Sequence, residues 1–451
     1  MRGLRHFLYR AAEALQGWSV LARLERLREM EGWDRGRLER FQCRLLRRLL
    51  SHAYRNVPFY RSLWDAAGVG PDDVASAGGL SRLPVVTKSM LIAAGDDALD
   101  RGRPKRGFLR QFSSGSTGEP FAYYETRSHY SGSVAGAMLG WTWAGWRPGD
   151  RWVRLQYRGR LSATARACDR LFNCLYMPMD AMDEPFMRAF VERAVRFDPV
   201  MLRGYAGGTH VFARFLLDAG ERRLRPKVVV TTGDTLYPHY REAIEAAFDC
   251  PVFDSYGGEG MAIANQCAAG GYHVLPTVLL ECRPEAPALP EGRPGRLLVT
   301  SLTNTAMPMI RYDIGDLGIA ADGPCACGRA WARLKRIVGR DTDVVVTPAG
   351  RSLICHHFNN VIRPLSGVEQ FQVLQPEADR IVLRLVTNGS YDRRRDERRI
   401  VSGLRRLAGP GLDVQVVYPE TIPVPPTGKR RYIISAVSGA AAAAPTGAEG
   451  T

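Results

Sequence analysis

The sequence predicts an α/β fold, in which a large N-terminal domain with mixed sheets and helices is followed by a small C-terminal α+β domain. Two observations carry this prediction. The chain has 451 residues, of which 45% are hydrophobic, and this exceeds the size at which a single core stops growing. Short β-rich runs also alternate with helical stretches through its middle, which is typical of a largely parallel sheet flanked by helices.

Residues 1–100 are predicted to be the helical N-terminal part of the large domain, which spans 1–340. Leucines recur at helical spacing beside arginines in residues 45–50, and this pattern places them on one helix face. The sequence Asn56-Val57-Pro58 ends that helix, because proline disfavours helical backbone in the residue before it. Further along, the alternating strands and helices are predicted at 152–156, 186–197, 228–232, 239–248, 252–255 and 297–300.

The small domain is predicted over residues 341–436. Its strands are expected at 344–346, 371–374, 381–386 and 414–417, with a basic helix at 393–407 between them. Residues 437–451 are rich in Ala, Gly, Thr and Pro and are predicted to be disordered.

The bulk composition limits the classes of function. The formal net charge is +16, but the basic residues are spread along the chain and form no long tail. We therefore expect solvated arginine-rich surfaces and no nucleic-acid partner, although a polyphosphate or CoA ligand would also suit this charge. Nine cysteines in a chain of this length do not indicate a disulfide scaffold. No apolar run reaches the ~18 residues of a membrane span, and no signal peptide is evident, so we expect no membrane span and a cytoplasmic location.

The first motif that could take part in binding or catalysis is Ser113-Ser114-Gly115-Ser116-Thr117-Gly118-Glu119-Pro120. It comes directly after a predicted strand at 108–112. Glycines let the backbone turn tightly and direct N–H groups at a phosphate, and the hydroxyls add donors. The motif lacks the lysine of a kinase-type phosphate loop. Alone, it is equally compatible with an ordinary Ser/Gly turn.

Three further motifs lie at strand ends or in turns. Asp254-Ser255-Tyr256-Gly257-Gly258-Glu259-Gly260 offers a ring that can stack on a base and a carboxylate that can hold Mg²⁺. Arg311-Tyr312-Asp313-Ile314-Gly315-Asp316, with Arg340 downstream, offers groups that can bind ribose hydroxyls. Pro425-Pro426-Thr427-Gly428-Lys429-Arg430-Arg431 presents a lysine on a rigid turn. Each of these alone is more often structural.

In this order and spacing, the four motifs together resemble those of the adenylate-forming superfamily, whose members make acyl-AMP from ATP and a carboxylate. The resemblance covers residues 45 to 435 and is to the phenylacetate–CoA ligase and CapK-like branch. It also rests on three shorter signatures. These are His52-Ala53 with Asn56-Val57-Pro58-Phe59-Tyr60-Arg61, Leu83-Pro84-Val85-Val86-Thr87-Lys88, and Cys325-Ala326-Cys327-Gly328-Arg329.

The resemblance implies a role for each motif. Ser113, Ser114, Gly115, Ser116, Thr117 and Gly118 would hold the ATP phosphates. Gly233 and Asp234 would lie by the adenine, on which Tyr256, followed by Gly257, would stack. Asp316 and Arg340 would bind ribose. Lys429 would be the catalytic lysine and Glu259 the Mg²⁺ ligand, although Glu259 follows Tyr256 by three residues where the family usually has four.

The implied activity is that of an AMP-forming acid–thiol ligase, which uses ATP and Mg²⁺ to make acyl-AMP and then transfers the acyl group to CoA. The small domain would be mobile and would rotate between the two steps. One alternative is transfer to an amine, a sugar or a carrier-protein thiol, as in CapK-like proteins. Another is a basic, non-catalytic binding protein of the same fold. The acid itself is not specified by the sequence, and a homodimer would be in keeping with the resemblance.

Two further groups of residues carry hypotheses. Cys267 and His273 are separated by five residues, and Cys325 and Cys327 by one, so three thiolates and one imidazole could form a structural Zn²⁺ site. Some relatives in the branch carry a metal at such positions. Trp141, Trp143, Trp146 and Tyr205 are consistent with an aromatic acid in the substrate pocket, but these side chains suit a hydrophobic core equally well.

Overall fold

A computed structural model describes most of the chain. The described residues are 9–10, 13, 17–74, 76–112, 121–156, 162–179, 184–284, 292–340, 344–348, 352–354, 358, 361–362, 364–365, 367–409, 411–423 and 432–437. The chain divides into two compact units. The first comprises Met1–Glu281, Leu298–Ile314 and Ala321–Arg336, and the second comprises Cys282–Leu297, Gly315–Ala320 and Ile337–Thr451.

The helices and strands are numbered separately in chain order. The helices are α1 (Val20–Met30), α2 (Arg35–Asn56), α3 (Pro58–Ala66), α4 (Lys88–Ala94), α5 (Arg127–Trp143), α6 (Ala163–Leu171), α7 (Glu184–Phe197), α8 (Ala206–Asp218), α9 (Pro238–Phe248) and α10 (Arg393–Ala408). The strands of the first half are β1 (Leu109–Phe112), β2 (Ala122–Glu125), β3 (Trp152–Gln156), β4 (Cys174–Pro178), β5 (Met201–Tyr205), β6 (Val228–Thr232), β7 (Val252–Gly258), β8 (Met261–Gln266) and β9 (Tyr272–Val274). The remaining strands are β10 (Val278–Pro284), β11 (Gly295–Ser301), β12 (Tyr312–Ala320), β13 (Arg333–Arg340), β14 (Val344–Val346), β15 (Ser352–Ile354), β16 (Val368–Glu377), β17 (Arg380–Thr387), β18 (Asp413–Val417) and β19 (Ile433–Ser435).

Within the described residues, an eleven-stranded mixed sheet has the order β10-β11-β12-β13-β9-β8-β7-β6-β5-β3-β4. Strands β4, β3, β5, β6 and β7 run parallel, whereas β8 and β9 continue the sheet antiparallel. Helices α1 and α5 contribute to the same hydrophobic core as the inner residues of these strands. Among the described helices, none is both long and apolar enough to cross a bilayer.

The second unit contains a smaller sheet of order β18-β17-β16-β19. Strands β16 and β17 are antiparallel, and β18 and β19 add to its two edges in parallel. Helix α10 begins where Asp392 accepts a hydrogen bond from the Arg395 N–H at 3.0 Å, which satisfies an unpaired donor of the first turn. The helix buries Ile400, Leu404 and Ala408 on one face, as its amphipathic pattern requires.

Three polar side chains fasten the N-terminal helices to the segment 305–310. His52 Nε2 lies 3.0 Å from the Thr305 carbonyl oxygen, and Asn56 Nδ2 lies 3.0 Å from His52 Nδ1. The Tyr60 hydroxyl donates to the Pro308 carbonyl at 2.7 Å and accepts from the Ile310 N–H at 3.1 Å. These contacts explain in physical terms why the signature at residues 52–61 combines histidine, asparagine and tyrosine.

Arg311 forms a buried centre of hydrogen bonds in the first unit. Its guanidinium binds both carboxylate oxygens of Glu281 at 2.8 Å and also donates to the carbonyls of Ser81 and Leu83. Next to it, the Val86 N–H donates to the Arg311 carbonyl and the Asp313 N–H donates to the Val86 carbonyl. The loop at 81–86 is therefore held against the start of β12.

The α/β prediction is confirmed. The expected strands at 152–156, 228–232 and 252–255 correspond to β3, β6 and β7, and the helix ending at Asn56-Val57-Pro58 is α2. The sequence pattern did not identify β4 and β5, which lie between β3 and β6. The domain boundary near residue 340 stays a prediction, and the predicted tail after residue 437 lies outside the described residues.

Replacing Arg311 with Met is expected to lower the free energy of unfolding of the first unit by about 3–5 kcal/mol, because it leaves the Glu281 carboxylate without its cation. The side chains are 5% and 24% exposed. Urea denaturation followed by tryptophan fluorescence measures the change. The matched control is Arg188→Met, because the Arg188–Glu184 pair is 60% and 63% exposed and should contribute less than about 1 kcal/mol. Equal effects of both substitutions would contradict the anchoring role.

Candidate functional site

The candidate site lies in the first unit, at the carboxyl ends of the parallel strands. Gly233 and Asp234 directly follow β6, and Tyr256 lies near the end of β7. Strands β6 and β7 are paired with Thr232 opposite Ser255, so these predicted adenine-binding residues occur at one edge of the sheet. Open α/β sheets bind ligands at this edge.

Gly233 has a backbone conformation that its neighbours enforce. Its φ is +79°, and a Cβ there would lie 2.4 Å from the ring of Tyr205, so a larger residue would be strained and would displace the ring. The next residue, Asp234, accepts a hydrogen bond through Oδ2 from the Gly207 N–H at 3.2 Å. Asp234 thereby connects β6 to the N-terminus of α8, and its predicted proximity to adenine stays a prediction.

Glu259 lies in a tight turn between β7 and β8. Glu259 and Gly260 both have positive φ, 43° and 74°, which is the conformation of a two-residue hairpin turn. The pairing register of β7 and β8 shifts between Tyr256 and Gly257. Glu259 is therefore at the tip of the turn, three residues after Tyr256.

A second carboxylate, Glu125, lies against the same turn. A Cβ at position 260 would come within 2.8 Å of the Tyr123 ring and 3.1 Å of Glu125 Oε1, so only glycine leaves room for these side chains. Burial, together with the nearby Glu125 and Glu259 carboxylates, raises the pKa of Tyr123 above its usual range. Two carboxyl groups, those of Glu125 and Glu259, therefore lie close to the Tyr123 ring beside this turn, and carboxylate oxygens suit Mg²⁺.

Glu125 and His129 form a buried polar pair beside this turn. Glu125 Oε2 lies 3.8 Å from His129 Nε2, and within the described residues neither atom has a hydrogen-bond partner. Burial raises the pKa of the Glu125 carboxyl to about 7. Burial and the Arg23 charge lower the pKa of His129 to about 4. Both groups are therefore held close to neutral, and sequence reasoning missed both because no motif marks them.

Several predicted residues lie elsewhere or are not described. The loop Ser113–Pro120 and Lys429 lie outside the described residues, although the flanking strands β1 and β2 pair antiparallel, with Phe112 opposite Ala122. Asp316 on β12 and Arg340 at the end of β13 belong to the second unit. The ribose-binding role of Asp316 and Arg340 therefore stays a prediction.

The structure brings the four predicted metal ligands together. The ligand atoms of Cys267, His273, Cys325 and Cys327 all lie within 4.8 Å of one another. Cys267 Sγ is 3.7 Å from Cys325 Sγ, and Cys327 Sγ is 3.2 Å from His273 Nε2. Zn–S bonds of ~2.3 Å in a tetrahedron place sulfur atoms roughly 3.8 Å apart, so this donor set fits Zn²⁺.

The surroundings of this cluster favour a neutral imidazole at His273 and a thiolate at Cys327, whereas burial raises the pKa of Cys267 to about 11. Burial, with Arg329 and Arg333 nearby, lowers the pKa of His273 to about 4. Although burial opposes it, hydrogen bonds from Arg329 and the neighbouring thiols lower the pKa of Cys327. Arg329 also pairs with Glu31 at 2.5 Å and lies over the Trp143 ring at 4.0 Å, so this loop is fixed to the end of α1.

The tryptophans considered for a substrate pocket are packed inside the protein. Trp141 and Trp146 have ring centroids 5.3 Å apart and belong to the main hydrophobic core. Trp143 packs against Trp331 at 5.6 Å and His273 at 5.8 Å. The core interpretation therefore accounts for these rings without a bound aromatic acid.

Comparisons with known proteins agree with this architecture. Residues 345–436 match the family described as the CapK C-terminal domain. Protein CapK from Staphylococcus aureus is 23% identical over 424 residues, which cover 91% of each chain. Phenylacetate-coenzyme A ligase from Thermus thermophilus is 28% identical over 340 residues, or 70% of this chain and 74% of the relative.

Among solved structures, the fold is similar to that of 2-hydroxyisobutyryl-CoA ligase in the postadenylation state in complex with R3-HIB-AMP. The TM-score is 0.72 at 21% sequence identity, and the match covers 90% of this chain and 91% of that one. This likeness establishes the fold.

Replacing Glu125 with Gln tests the electrostatics of the site. The carboxyl is neutral up to about pH 7 in the folded protein, but ionises near its usual pKa of 4.5 when unfolded. Its contribution to stability is thus fully present below pH 4.5 and is lost as pH rises through 7. As pH rises from 4.5 to 7, the free energy of unfolding of the variant should therefore increase relative to that of the wild type by roughly 1.4 kcal/mol per pH unit.

Urea denaturation of both proteins between pH 4.5 and 8 measures this difference, and the opposite pH dependence of His129 cancels because both proteins contain it. Glu184→Gln, at an exposed position on α7, is the control and should show no such trend. A constant difference between the Glu125→Gln variant and the wild type from pH 5 to pH 7 would contradict the raised pKa.

Proposed function

Because the chain belongs to the adenylate-forming superfamily, in the branch of phenylacetate–CoA ligases and CapK proteins, we propose that it activates a carboxylic acid with ATP and transfers the acyl group to CoA. The observation that carries the proposal is the sheet edge where Gly233 and Asp234 follow β6 and Tyr256 lies near the end of the paired strand β7. Similarity to a phenylacetate-coenzyme A ligase along 70% of this chain and 74% of that relative supports it.

The chemistry has two steps. In the first, a carboxylate oxygen attacks the α-phosphorus of ATP, the bond to the β-phosphate oxygen breaks, and pyrophosphate leaves. In the second, the thiol sulfur attacks the acyl carbon, AMP leaves, and the thiol proton is released. The first step brings two anions together, so cations must offset their repulsion. Lys429 is the cation that we assign to this step.

Mg²⁺ supplies further positive charge on the phosphates when it is bound. We assign Glu259 as its protein ligand, because this residue lies at the tip of the β7–β8 turn beside other acidic groups. The nearby Glu125 carboxyl has an oxygen that makes no hydrogen bond within the described residues. The loop Ser113–Gly118 is proposed to bind the phosphates, and Asp316 and Arg340 the ribose.

A second candidate differs only in the acyl acceptor. The match of residues 345–436 to the CapK C-terminal domain favours an amine, a sugar or a carrier-protein thiol as the alternative to CoA. Trapping the product with each acceptor after adenylation separates these outcomes. The cytoplasmic location and a homodimer stay predictions.

ATP–pyrophosphate exchange with a panel of carboxylic acids tests the proposal directly. We expect exchange with at least one acid, and a loss of about 10²–10³-fold in the Lys429→Ala variant, because one charge that stabilises the transition state is removed. The same variant should still form thioester from supplied acyl-AMP. The matched control is Lys227→Ala, at an exposed position of the first unit.

Two results would overturn this assignment. If wild-type protein binds no ATP and exchanges pyrophosphate with no acid, the chain is a non-catalytic binding protein. If Lys429→Ala slows exchange and thioester formation equally, the lysine is not specific to adenylation.

We further propose that Cys267, His273, Cys325 and Cys327 bind one structural Zn²⁺. The support is the closeness of four donor atoms from the β8–β9 hairpin and the loop before β13, a complete tetrahedral set that leaves no open position for catalysis. The metal would then fasten the turn after β8 to the loop before β13.

Elemental analysis of protein purified without chelators is expected to give one zinc per chain. The Cys267→Ser/Cys325→Ser double variant should lose it and melt at a lower temperature, whereas Cys43→Ser, a free cysteine elsewhere in the first unit, should retain it. The absence of stoichiometric zinc from the wild type, or full retention by the double variant, would refute the site.

A further inference from the structure

The side chains on one face of the parallel sheet form successive layers. Paired residues of parallel strands face the same side, and alternate residues along a strand return to that side. The lowest layer on this face is apolar and belongs to the core that includes Trp141 of α5. Its members are Trp152, Cys174, Met201 and Val228.

The next layer towards the candidate site contains two arginines. Arg154 pairs with Tyr176 on one side and Arg203 on the other, and Arg203 pairs with Val230. Two residues further along the strands, Gln156, Tyr205 and Thr232 form the layer at the carboxyl edge. The arginine layer is therefore one step, about 6.6 Å, below the edge where the acid would be activated.

Only one of the two guanidinium groups has an acidic partner among the described residues. Arg154 Nη2 lies 2.7 Å from Asp169 Oδ1. Arg203 lies over the Trp141 ring at 5.2 Å, its Nε is buried without an acceptor, and no described carboxylate forms an ion pair with it. The layer thus holds two positive charges and one negative charge.

Arg203 is both deep in the protein and reachable by solvent. Burial lowers the pKa of its guanidinium, and the neighbouring Arg154 charge adds to this effect, yet the residue as a whole is only partly buried. Part of the Arg203 residue is therefore in reach of solvent, although its guanidinium lies within the protein. Arginine stays charged in such a place, and an unpaired buried charge is costly, so an incoming anion would be stabilised there.

We propose that Arg203 binds a second carboxylate of the acid substrate, so that the preferred substrates are dicarboxylic acids activated at the carboxylate farther from Arg203. This inference rests on the proposed acid activation and specifies its substrate class. Arg154 is paired with Asp169, so the net positive charge of the layer is that of Arg203. Trp141 supports the guanidinium from below through its ring face.

Exchange kinetics with matched acids test the substrate class. The pairs are hexanoate with adipate and phenylacetate with 4-carboxyphenylacetate. We expect kcat/KM of the wild type to be about 10- to 100-fold higher for the diacid of each pair. The monoacid cannot make the charged hydrogen bond to Arg203, and a loss of this size is typical when such a bond is left unmade. Arg203→Met should abolish this preference by raising KM for diacids, and Arg203→Lys should retain part of it. Arg188→Met, on the exposed face of α7, is the control.

Equilibrium binding separates this inference from the adenylation proposal. Calorimetric titration with adipate and hexanoate needs no turnover, and we expect adipate to bind the wild type and not the Arg203→Met variant. Should exchange fail with every acid while this binding pattern holds, the adenylation proposal falls and the anion site stands. Equal binding of adipate and hexanoate by the wild type, or equal loss of both in the variant, would overturn the anion site.

Thermal unfolding distinguishes a binding arginine from a structural one. Without ligand, Arg203→Met should melt no lower than the wild type, because it removes a charge that lacks a partner. The wild type should gain melting temperature with adipate, and the variant should not. The opposite result has two parts: Arg203→Met is markedly less stable, and Arg203→Lys and Arg203→Gln keep the preference for diacids. This result would show that Arg203 has a structural role and does not bind the substrate.

Discussion

The ion pair between buried Arg311 and partly buried Glu281 holds together distant parts of the first unit. The Arg311 guanidinium binds the Glu281 carboxylate. It also donates to two backbone carbonyls of a loop more than two hundred residues earlier in the chain. Arg311 itself has a positive φ of 48°, a costly conformation for a residue with a side chain. The hydrogen bonds that surround it offset this cost and fix where β12 begins.

The sequence was informative where local chemistry and periodicity agree. Buried parallel strands such as Val228–Thr232 are apolar runs that leave little choice of structure, and Pro58 limits the preceding helix by sterics alone. The Cys and His pairs gave only a weak signal by their spacing, because about fifty residues separate them, and the resemblance to relatives that carry a metal at such positions strengthened it. The β-like run at 252–255 was enough to place Tyr256 near a strand end, whereas Gly233 was selected through the resemblance.

Other features depend on contacts that no local pattern encodes. Glu125 and His129 acquire shifted pKa values only because the fold buries them side by side, and Asp234 meets the start of α8 only after β5 and β6 have paired. Arg203 did leave a signal, since a charged residue within an otherwise apolar strand, Met201–Tyr205, is unusual in a parallel sheet. That signal gained meaning once the register placed Arg154 beside it.

The links between the N-terminal helices and the segment 305–311 have a consequence for the order in which the chain can fold. His52 and Tyr60 find their partners about 250 residues later. At translation rates of 5–20 residues per second, that distance corresponds to roughly 10–50 s. During synthesis, the hydrogen bonds of α2 and α3 to this segment therefore cannot form for that time, and the apolar faces of the two helices remain incompletely buried. The nascent chain is consequently most exposed to misassociation before residue 311 has emerged from the ribosome.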